Sequence, residues 1–519
     1  MAPPTVDYSL YLVTDPHLSP PDTTLEEQVE KAIAGGVTLV QLREKDAETK
    51  DFIERAKRIH AMTRAAGIPL LINDRLDVAL AIDAEGVHIG QDDIDVATAR
   101  KLLGPDKIIG LSVSFVSEAA QAVEAGVDYI GVGAVYDTAT KNPKNPPIGI
   151  SGLRKILSYL SSVPKYMPAV AIGSCNLHTT RNIMYLSAVP GRSLDGVAVV
   201  SAIIGAEDPK EASSKLLALV KEPPYWMSVI NNRSAESIVQ AVPAVIKKVF
   251  ITTPLVHNII NRVAINFAAN VDLAIGASPI MTENEPEFND IASIPNAGLL
   301  LNMNMATEEK VNLFISAIRA YNGLSKTTVF DPIGAGASTL RQTAVKTLLN
   351  SVHFDVIKGN EGEIFSVAGE ASSMRGVDST ANSALDKKVH VVEGLASKEK
   401  SIVVLTGEQD IVSDGISTFI LSNGHEYLAS ITASGCVLGS IITAMSIVSI
   451  EDRLLASIAA ILLYTIAAER AAQQPSVRGP GSFIPALIDE LYLLVKATAV
   501  ENDTEWLNDA RLTQYIVPT

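Results

Sequence analysis

Short β-branched apolar runs, separated by amphipathic segments, fill the first half of the chain. The runs are YSLYLVTD, TLVQLRE, PLLIND, GVHIG, IIGLSV, YIGVGAVY, PAVAIG and GVAVVSAI. Between them, segments such as LEEQVEKAIAGG and SEAAQAVEAGV place apolar residues at helical spacing and end in glycine, a helix stop. This alternation predicts parallel strands joined by right-handed crossovers. Eight such units within residues 1–221 predict closure into a (β/α)8 barrel rather than an open doubly wound sheet.

The pattern then changes. KEPPYWMSVINNRSAES, residues 221–237, carries paired prolines that disfavour a continued helix. It divides the chain into a first unit over 1–221, a linker over 222–238 and a second unit over 239–519. In the second unit the clearest strands are GLLLNM, TTVFDP, FDVIKGN and SIVVLTG. Helices are predicted over 256–270, 307–322, 338–350, 382–396, 437–449, 453–472 and 482–497. Fewer strands among longer helices predict a three-layer α/β/α domain with ligands near the strand C-termini.

Polar residues gather where both folds place their sites. In the first unit, strand two ends in Gln41, Leu42, Arg43, Glu44 and Lys45, strand three in Asn73 and Asp74. Strand four runs into Asp93, and strand five ends near Ser112. Strand six is followed by Thr138, Ala139, Thr140 and Lys141. The last two strands end at Gly173 and at Val200–Ser201, where barrels often hold a phosphate. Any one of these is ordinarily a solvated loop residue; their placement on one rim gives them weight. Arg43, Lys45 and Lys141 supply cations, and Asp74 and Asp93 are hard oxygen ligands suited to Mg²⁺ with a substrate phosphate. The rim therefore suits two phosphate-bearing groups, one with a metal. His88 reads as a structural imidazole rather than a base.

Net charge and cysteine usage narrow the class. A formal charge of -16 argues against nucleic acid or an anionic membrane as partner. No run reaches the ~18 apolar residues of a membrane span, because EDR interrupts the fattest region, SIITAMSIVSIEDRLLASIAAILLYTIAAE. Two distant cysteines, Cys175 and Cys436, make neither a disulfide framework nor a zinc site. With no signal-peptide layout at the N-terminus, a cytoplasmic setting is expected.

The ordered set VQLREKD, INDR, GVHIGQDD, GLSVS, TATK, AIG and VVSAI resembles thiamine-phosphate synthase over nearly the whole first half. The resemblance implies a TIM barrel that joins hydroxymethylpyrimidine diphosphate to a thiazole phosphate. Gln41 to Lys45, Asn73, Ser112 and Lys141 would bind the pyrimidine diphosphate, and Asp74 and Asp93 would hold Mg²⁺ on it. Thr138, Ala139, Thr140, Gly173, Val200 and Ser201 would hold the thiazole phosphate. One departure is AIGSC, where the family usually continues AIGG; Ser174 takes the second glycine's place.

In the second half, PLVHNIINRVAINFAANVDLAIGASPIM, DPIGAGAS, KGNEGE, LTGEQD and TASGC resemble hydroxyethylthiazole kinase, of the ribokinase-like superfamily. The likeness implies ATP-dependent phosphorylation of the thiazole alcohol. Lys358 and Thr406 would contact ATP, and Asp331 and Glu363 would handle Mg²⁺. Asn258, Met281 and Ala433 would shape the thiazole pocket. Cys436 matches the family's catalytic cysteine, and its place at a helix start predicts a lowered thiol pKa and a role as proton acceptor or alcohol positioner. Ala433 replaces the usual glycine and Lys358 the frequent arginine. Together the halves imply a bifunctional thiamine-pathway enzyme, a homo-oligomer built as a trimer or a multiple of three. The alternatives are a synthase with a degenerate kinase half and a non-catalytic metabolite sensor.

Overall fold

The computed structural model describes residues 6–137, 145–227, 233–370, 374–375, 378–379 and 384–516. Thr138, Ala139, Thr140 and Lys141 lie outside them. The chain divides into two compact units, Met1–Pro224 and Tyr225–Thr519. A helix over Ala235–Thr252, capped by Ser234, begins inside the 222–238 stretch.

The first unit is a closed parallel barrel of eight strands. They are β1 Leu10–Val13, β2 Leu39–Leu42, β3 Leu70–Asn73, β4 Gly86–Ile89, β5 Ile108–Val113, β6 Tyr129–Val132, β7 Ala169–Ile172 and β8 Gly196–Val199. Strand β8 pairs back on β1, Tyr11 opposite Ala198. Strand side chains alternate between the interior and the helical ring. Inside, Tyr11, Leu39, Leu71, Ile108, Tyr129 and Val170 fill the barrel. Gly110 is required there, since a Cβ would lie 2.1 Å from the Tyr129 ring.

The second unit is built on a mixed sheet of nine strands. In chain order these are β9 Leu255–Ile259, β10 Ser278–Ile280, β11 Ala297–Asn302, β12 Thr328–Asp331, β13 Val356–Asn360, β14 Ile402–Thr406, β15 Asp410–Ser413, β16 Thr418–Leu421 and β17 Leu512–Gln514. Their order is β10-β9-β11-β12-β13-β14-β15-β16-β17, parallel as far as β14 and antiparallel beyond. Both faces are covered: Leu300, Val329 and Val404 pack on one helical layer, while Leu301, Phe330 and Leu405 pack on the other. This is a three-layer α/β/α domain of ribokinase-like class.

One predicted helix is corrected. Residues 256–270 do not form a single helix; Leu255–Ile259 is a strand and the helix is Ile265–Ala274. A short apolar run buried in a parallel sheet lacks the two-residue alternation that would identify it. The hairpin strands β15 and β16 also escaped notice. Helix Arg453–Gln473 has the length and hydropathy of a membrane span, but 83% of its apolar window is buried within the unit.

Candidate active sites

At the barrel mouth, the end of β2 sends alternate side chains to opposite sides. Gln41 is buried inside, its amide donating to the Tyr11 hydroxyl at 2.5 Å. Arg43 donates to Asp15 at 3.1 Å, and its backbone N–H to Thr14 at 2.9 Å. Glu44 is instead ion-paired with Arg55 at 2.6 Å and turned away from Gln41 and Arg43; Leu42 is buried and Lys45 exposed. Thus the five-residue segment divides into groups that face the mouth and groups that anchor it. Thr14 and Asp15 were legible only as the polar end of YSLYLVTD.

The neighbouring strands β3 and β4 carry the acidic pair. Asn73 donates to Asp74 at 2.7 Å, and Asp74 holds a left-handed backbone, φ 60°. One oxygen of Asp93 accepts the Gly90 N–H at 2.7 Å. Asp74 directly follows β3 and Asp93 lies in the loop after β4; two such carboxylates are the hard oxygen donors that suit Mg²⁺ completed by phosphate and water oxygens. On β5, Ser112 meets His88 at 2.9 Å, whose other ring nitrogen meets Tyr129 at 2.7 Å.

Across the mouth, Gly173 ends β7 with φ 108°, and a Cβ there would lie 2.7 Å from the Val135 nitrogen. Only glycine fits. Ser174 follows at φ 53°, with its hydroxyl bonded to the Asp137 carbonyl. Val200 and Ser201 follow β8, which pairs with β7. Cys175 is buried, burial pushes its thiol up to about 12, and its role is packing.

The second unit gathers its charges in the sheet's C-terminal crevice. Asp331 ends β12 and Lys358 lies on β13; their side chains are 3.6 Å apart and almost fully buried. Burial raises the Asp331 pKa against the pull of Lys358. Burial alone would lower Lys358, but Asp331 and Glu363 hold its ammonium above the ordinary range. Glu363 caps the start of helix Glu361–Ala368 and accepts N–H groups from Gly334 and Asn360, each at 2.9 Å. Burial and the Asp331 charge push it up to about 7. Two carboxylates that oppose each other's ionisation are a donor set a divalent cation would neutralise.

Cys436 stands in the first turn of helix Ser434–Val448. Its sulfur accepts from the amides of Asn261 at 3.4 Å and Asn302 at 3.5 Å. Asn302 also donates to Asp331 at 2.7 Å, so one amide joins the thiol to the acid. Neither asparagine was singled out in the sequence; Asn302 ends β11 and Asn261 lies two residues past β9. The expected lowered thiol pKa is corrected: burial, reinforced by Asp331, pushes Cys436 up to about 11. The helix start does not overcome the loss of water.

The remaining predicted residues divide. Gly435 brings the same helix start against Lys358, whose Nζ would be 3.0 Å from an added Cβ. Ala433 caps the helix with φ 66°, the conformation that explains a glycine preference there. Met281 and Ala433 both pack on the apolar core to which Cys436 belongs. Thr406 ends β14 and donates to the Gly359 carbonyl at 3.3 Å. Asn258 is not directed at the thiol; it donates to Asp272 at 3.0 Å and accepts from Ser440 at 3.0 Å, nearly without exposure. A cavity of about 240 Å³ lined by Trp226, Asp355, Ile416 and Arg453 lies at the opposite, N-terminal ends of the strands.

Known families match both units. The thiamine monophosphate synthase model matches residues 10–203, and the hydroxyethylthiazole kinase family model matches residues 246–497. The probable thiamine biosynthetic bifunctional enzyme of Schizosaccharomyces pombe is 43% identical over 514 residues, 98% of each chain. The thiamine biosynthetic bifunctional enzyme of Saccharomyces cerevisiae is 40% identical, covering 94% of this chain and 96% of its own. The thiamine-phosphate synthase of Chloroflexus aurantiacus is 47% identical over 41% of this chain and 94% of its own.

Proposed function

We propose how each site works from the premise that the chain belongs to the thiamine biosynthetic bifunctional enzymes, joining a thiamine-phosphate synthase to a hydroxyethylthiazole kinase. In the kinase half, the thiazole alcohol lies beside Cys436, between Met281 and Ala433. At neutral pH the thiol is protonated, so Cys436 positions the alcohol rather than taking its proton. The alcohol oxygen attacks the terminal phosphorus of ATP, and its proton leaves on the transferred phosphoryl group as the bond to ADP breaks. Lys358 faces the transferred phosphoryl group, and Thr406 contacts the nucleotide. Asp331 and Glu363 would hold Mg²⁺, which supplies charge neutralisation to the phosphates.

In the barrel, Arg43, Lys45 and Lys141 neutralise the diphosphate of hydroxymethylpyrimidine diphosphate, while Gln41, Asn73 and Ser112 orient the ring. Asp74 and Asp93 would hold Mg²⁺ on that diphosphate. The C–O bond to diphosphate breaks with carbocation character on the methylene, and the thiazole nitrogen closes the new C–N bond. The residues Thr138–Thr140, Gly173, Val200 and Ser201 hold the thiazole phosphate. Catalysis is electrostatic stabilisation of the leaving group and alignment of the two rings.

The observation that carries this assignment is the Asn302 amide shared by Asp331 and Cys436, which turns scattered motif residues into one site. The test is synthesis of thiamine phosphate from hydroxyethylthiazole, ATP, Mg²⁺ and hydroxymethylpyrimidine diphosphate, each omitted in turn. Product is expected only with all four; product from preformed thiazole phosphate and the pyrimidine diphosphate, but none from hydroxyethylthiazole and ATP in its place, would leave a degenerate kinase half. A trimer or a multiple of three, with kinase sites completed between copies, is the proposed assembly; light scattering that finds a monomer would refute it. Two free cysteines accord with a cytoplasmic setting.

A further inference from the structure

One turn past Cys436, the same face of helix Ser434–Val448 carries Ser440. Its hydroxyl lies 2.6 Å from Asp272 Oδ1 and 3.0 Å from Asn258 Oδ1. The Asn258 amide nitrogen lies 3.0 Å from Asp272 Oδ2, and its second proton goes to the Val256 carbonyl at 3.3 Å. The three side chains close a ring, and none exceeds 2% exposure. Each comes from a different element: Asn258 from β9, Asp272 from helix Ile265–Ala274 and Ser440 from helix Ser434–Val448. The proposed function uses none of the three.

The ring lacks one proton unless Asp272 is neutral. A serine hydroxyl has a single proton, and here it faces two acceptors, a carboxyl oxygen and an amide oxygen. With a proton on Asp272, the acid donates to Ser440, Ser440 to Asn258 and Asn258 back to the acid, so every contact is a hydrogen bond. Turning the Asn258 amide over leaves the count unchanged. Its oxygen then faces Asp272 Oδ2 and again needs the acid's proton. An ionised Asp272 would set two oxygens against each other with no hydrogen between them. Burial favours the neutral form as well, raising this carboxyl to about 7. The elements packed on helix Ile265–Ala274 bring it no compensating charge. His257 of β9 turns away to Tyr321 and the Thr282 carbonyl. On helix Pro480–Lys496, Glu490 is held by Gln474 and Lys496 pairs with Glu501, while Asp489 and Tyr492 are exposed. Strand β10 has no titratable residue, and helix Ser434–Val448 has only Cys436.

The ring lies where it can set the kinase site. Asn258 stands three residues before Asn261, whose amide meets both the Cys436 sulfur and Asn302, and Ser440 stands four residues after Cys436. Closing the ring fixes β9 and both helices relative to one another, one helical turn from the thiol. An acid in an apolar core costs stability, a cost that packing alone does not require. We propose that Asp272 is a positioning residue of the kinase, effective only as the neutral acid, which holds Cys436 and Asn261 in place for the alcohol. The proposal rests on the reading that Cys436 meets the alcohol.

The test measures thiazole phosphorylation, and synthesis from preformed thiazole phosphate, as a function of pH in the full chain and its variants. Wild-type phosphorylation should fall several-fold as pH rises through about 7, because the folded carboxyl loses its proton there and the ring opens. Asp272→Asn supplies an amide N–H in place of the acid proton and closes the ring at any pH. It should keep the wild-type kcat at the acid end and lack the alkaline fall, which also separates the effect from thiol ionisation. Asp272→Leu should lower kcat by about 10- to 100-fold, the scale of misplacing a reacting group by about 1 Å, with the KM for ATP little changed. Synthesis should be alike in all three. Parallel kinase pH profiles in wild type and Asp272→Asn overturn the proposal, as does a wild-type kcat in folded Asp272→Leu. If Asp272→Leu does not fold, Ser440→Ala opens the ring instead, and an unchanged kcat and profile there overturn the proposal. Equal kinase rates in wild type and Cys436→Ala would overturn the site reading and this proposal with it. Parallel profiles beside a loss of rate in Cys436→Ala overturn the ring alone.

Discussion

The barrel mouth and the kinase crevice both handle phosphate, yet they hold their charges differently. At the mouth, Lys45 and Asp93 stand exposed, and Arg43 is steadied by Asp15. In the crevice, Asp331, Lys358 and Glu363 are nearly without exposure and set one another's protonation. The difference follows from the reactions. A diphosphate that leaves needs its charge neutralised, whereas phosphoryl transfer to an alcohol competes with transfer to water. Excluding water protects the kinase step and strengthens its electrostatics. The cost is that ordinary pKa values no longer apply there.

The strongest way to break this comparison is one acid in each site. Asp331→Asn should lower thiazole phosphorylation by on the order of 10²–10³-fold, as loss of a preorganised charged group does. Synthesis from preformed thiazole phosphate should be unchanged. Asp93→Asn should do the reverse, raising the KM for pyrimidine diphosphate roughly tenfold, one 1.4 kcal/mol contact, and leaving the kinase rate alone. Loss of both activities in either variant would contradict two separate sites.

Cys436 sharpens the crevice side. Cys436→Ala and Cys436→Asp should both keep synthase activity, with the Asp variant retaining more kinase activity than Ala, because its side chain can still hydrogen-bond and position the alcohol. With its thiol pushed up to about 11, wild type should show no thiol ionisation limb near neutral pH in its kinase rate. Equal kinase rates in wild type and Cys436→Ala would reduce the thiol to packing.

A third prediction concerns stability. Burial pushes Asp272 up from 3.8 to about 7, despite bonds from Ser440 and Asn258. Between those values the folded state keeps a proton that the unfolded chain releases, so this group's contribution falls as pH rises. Asp272→Asn lacks that fall. Relative to wild type it should gain stability steadily from pH 4 to pH 7, measured by denaturant unfolding. A pH-independent difference would place the proton elsewhere.

The smallest effect comes from two family glycines replaced here, one in each site. Ala433 and Ser174 both adopt left-handed backbone, at φ 66° and 53°. Ala433→Gly should stabilise by about 0.5–1 kcal/mol, since it relieves a Cβ clash at some entropic cost. Ser174→Gly should be near neutral, because it gives up the bond to the Asp137 carbonyl, itself worth about 1 kcal/mol. Unfolding midpoints of both variants decide this.

Strand alternation alone determined the barrel, because each βα unit repeats the same local signal. The polar strand ends likewise marked where both sites would fall, since parallel strands bring their C-termini to one side. The three-layer domain was legible through β11 to β14, but β9, where His257 and Asn258 are buried in the sheet, read as helix. What only the tertiary structure decided is which strand-end groups are bound to other parts of the fold, and how burial shifts the protonation of the rest. Glu44 and Asn258 carry suitable chemistry but are bound by Arg55 and Asp272. Asn302 and Asp331 end paired strands and stand beside a thiol more than a hundred residues later. Desolvation depends on what packs around a group from distant parts of the chain, so no local pattern could report that Cys436, at a helix start, would keep its proton.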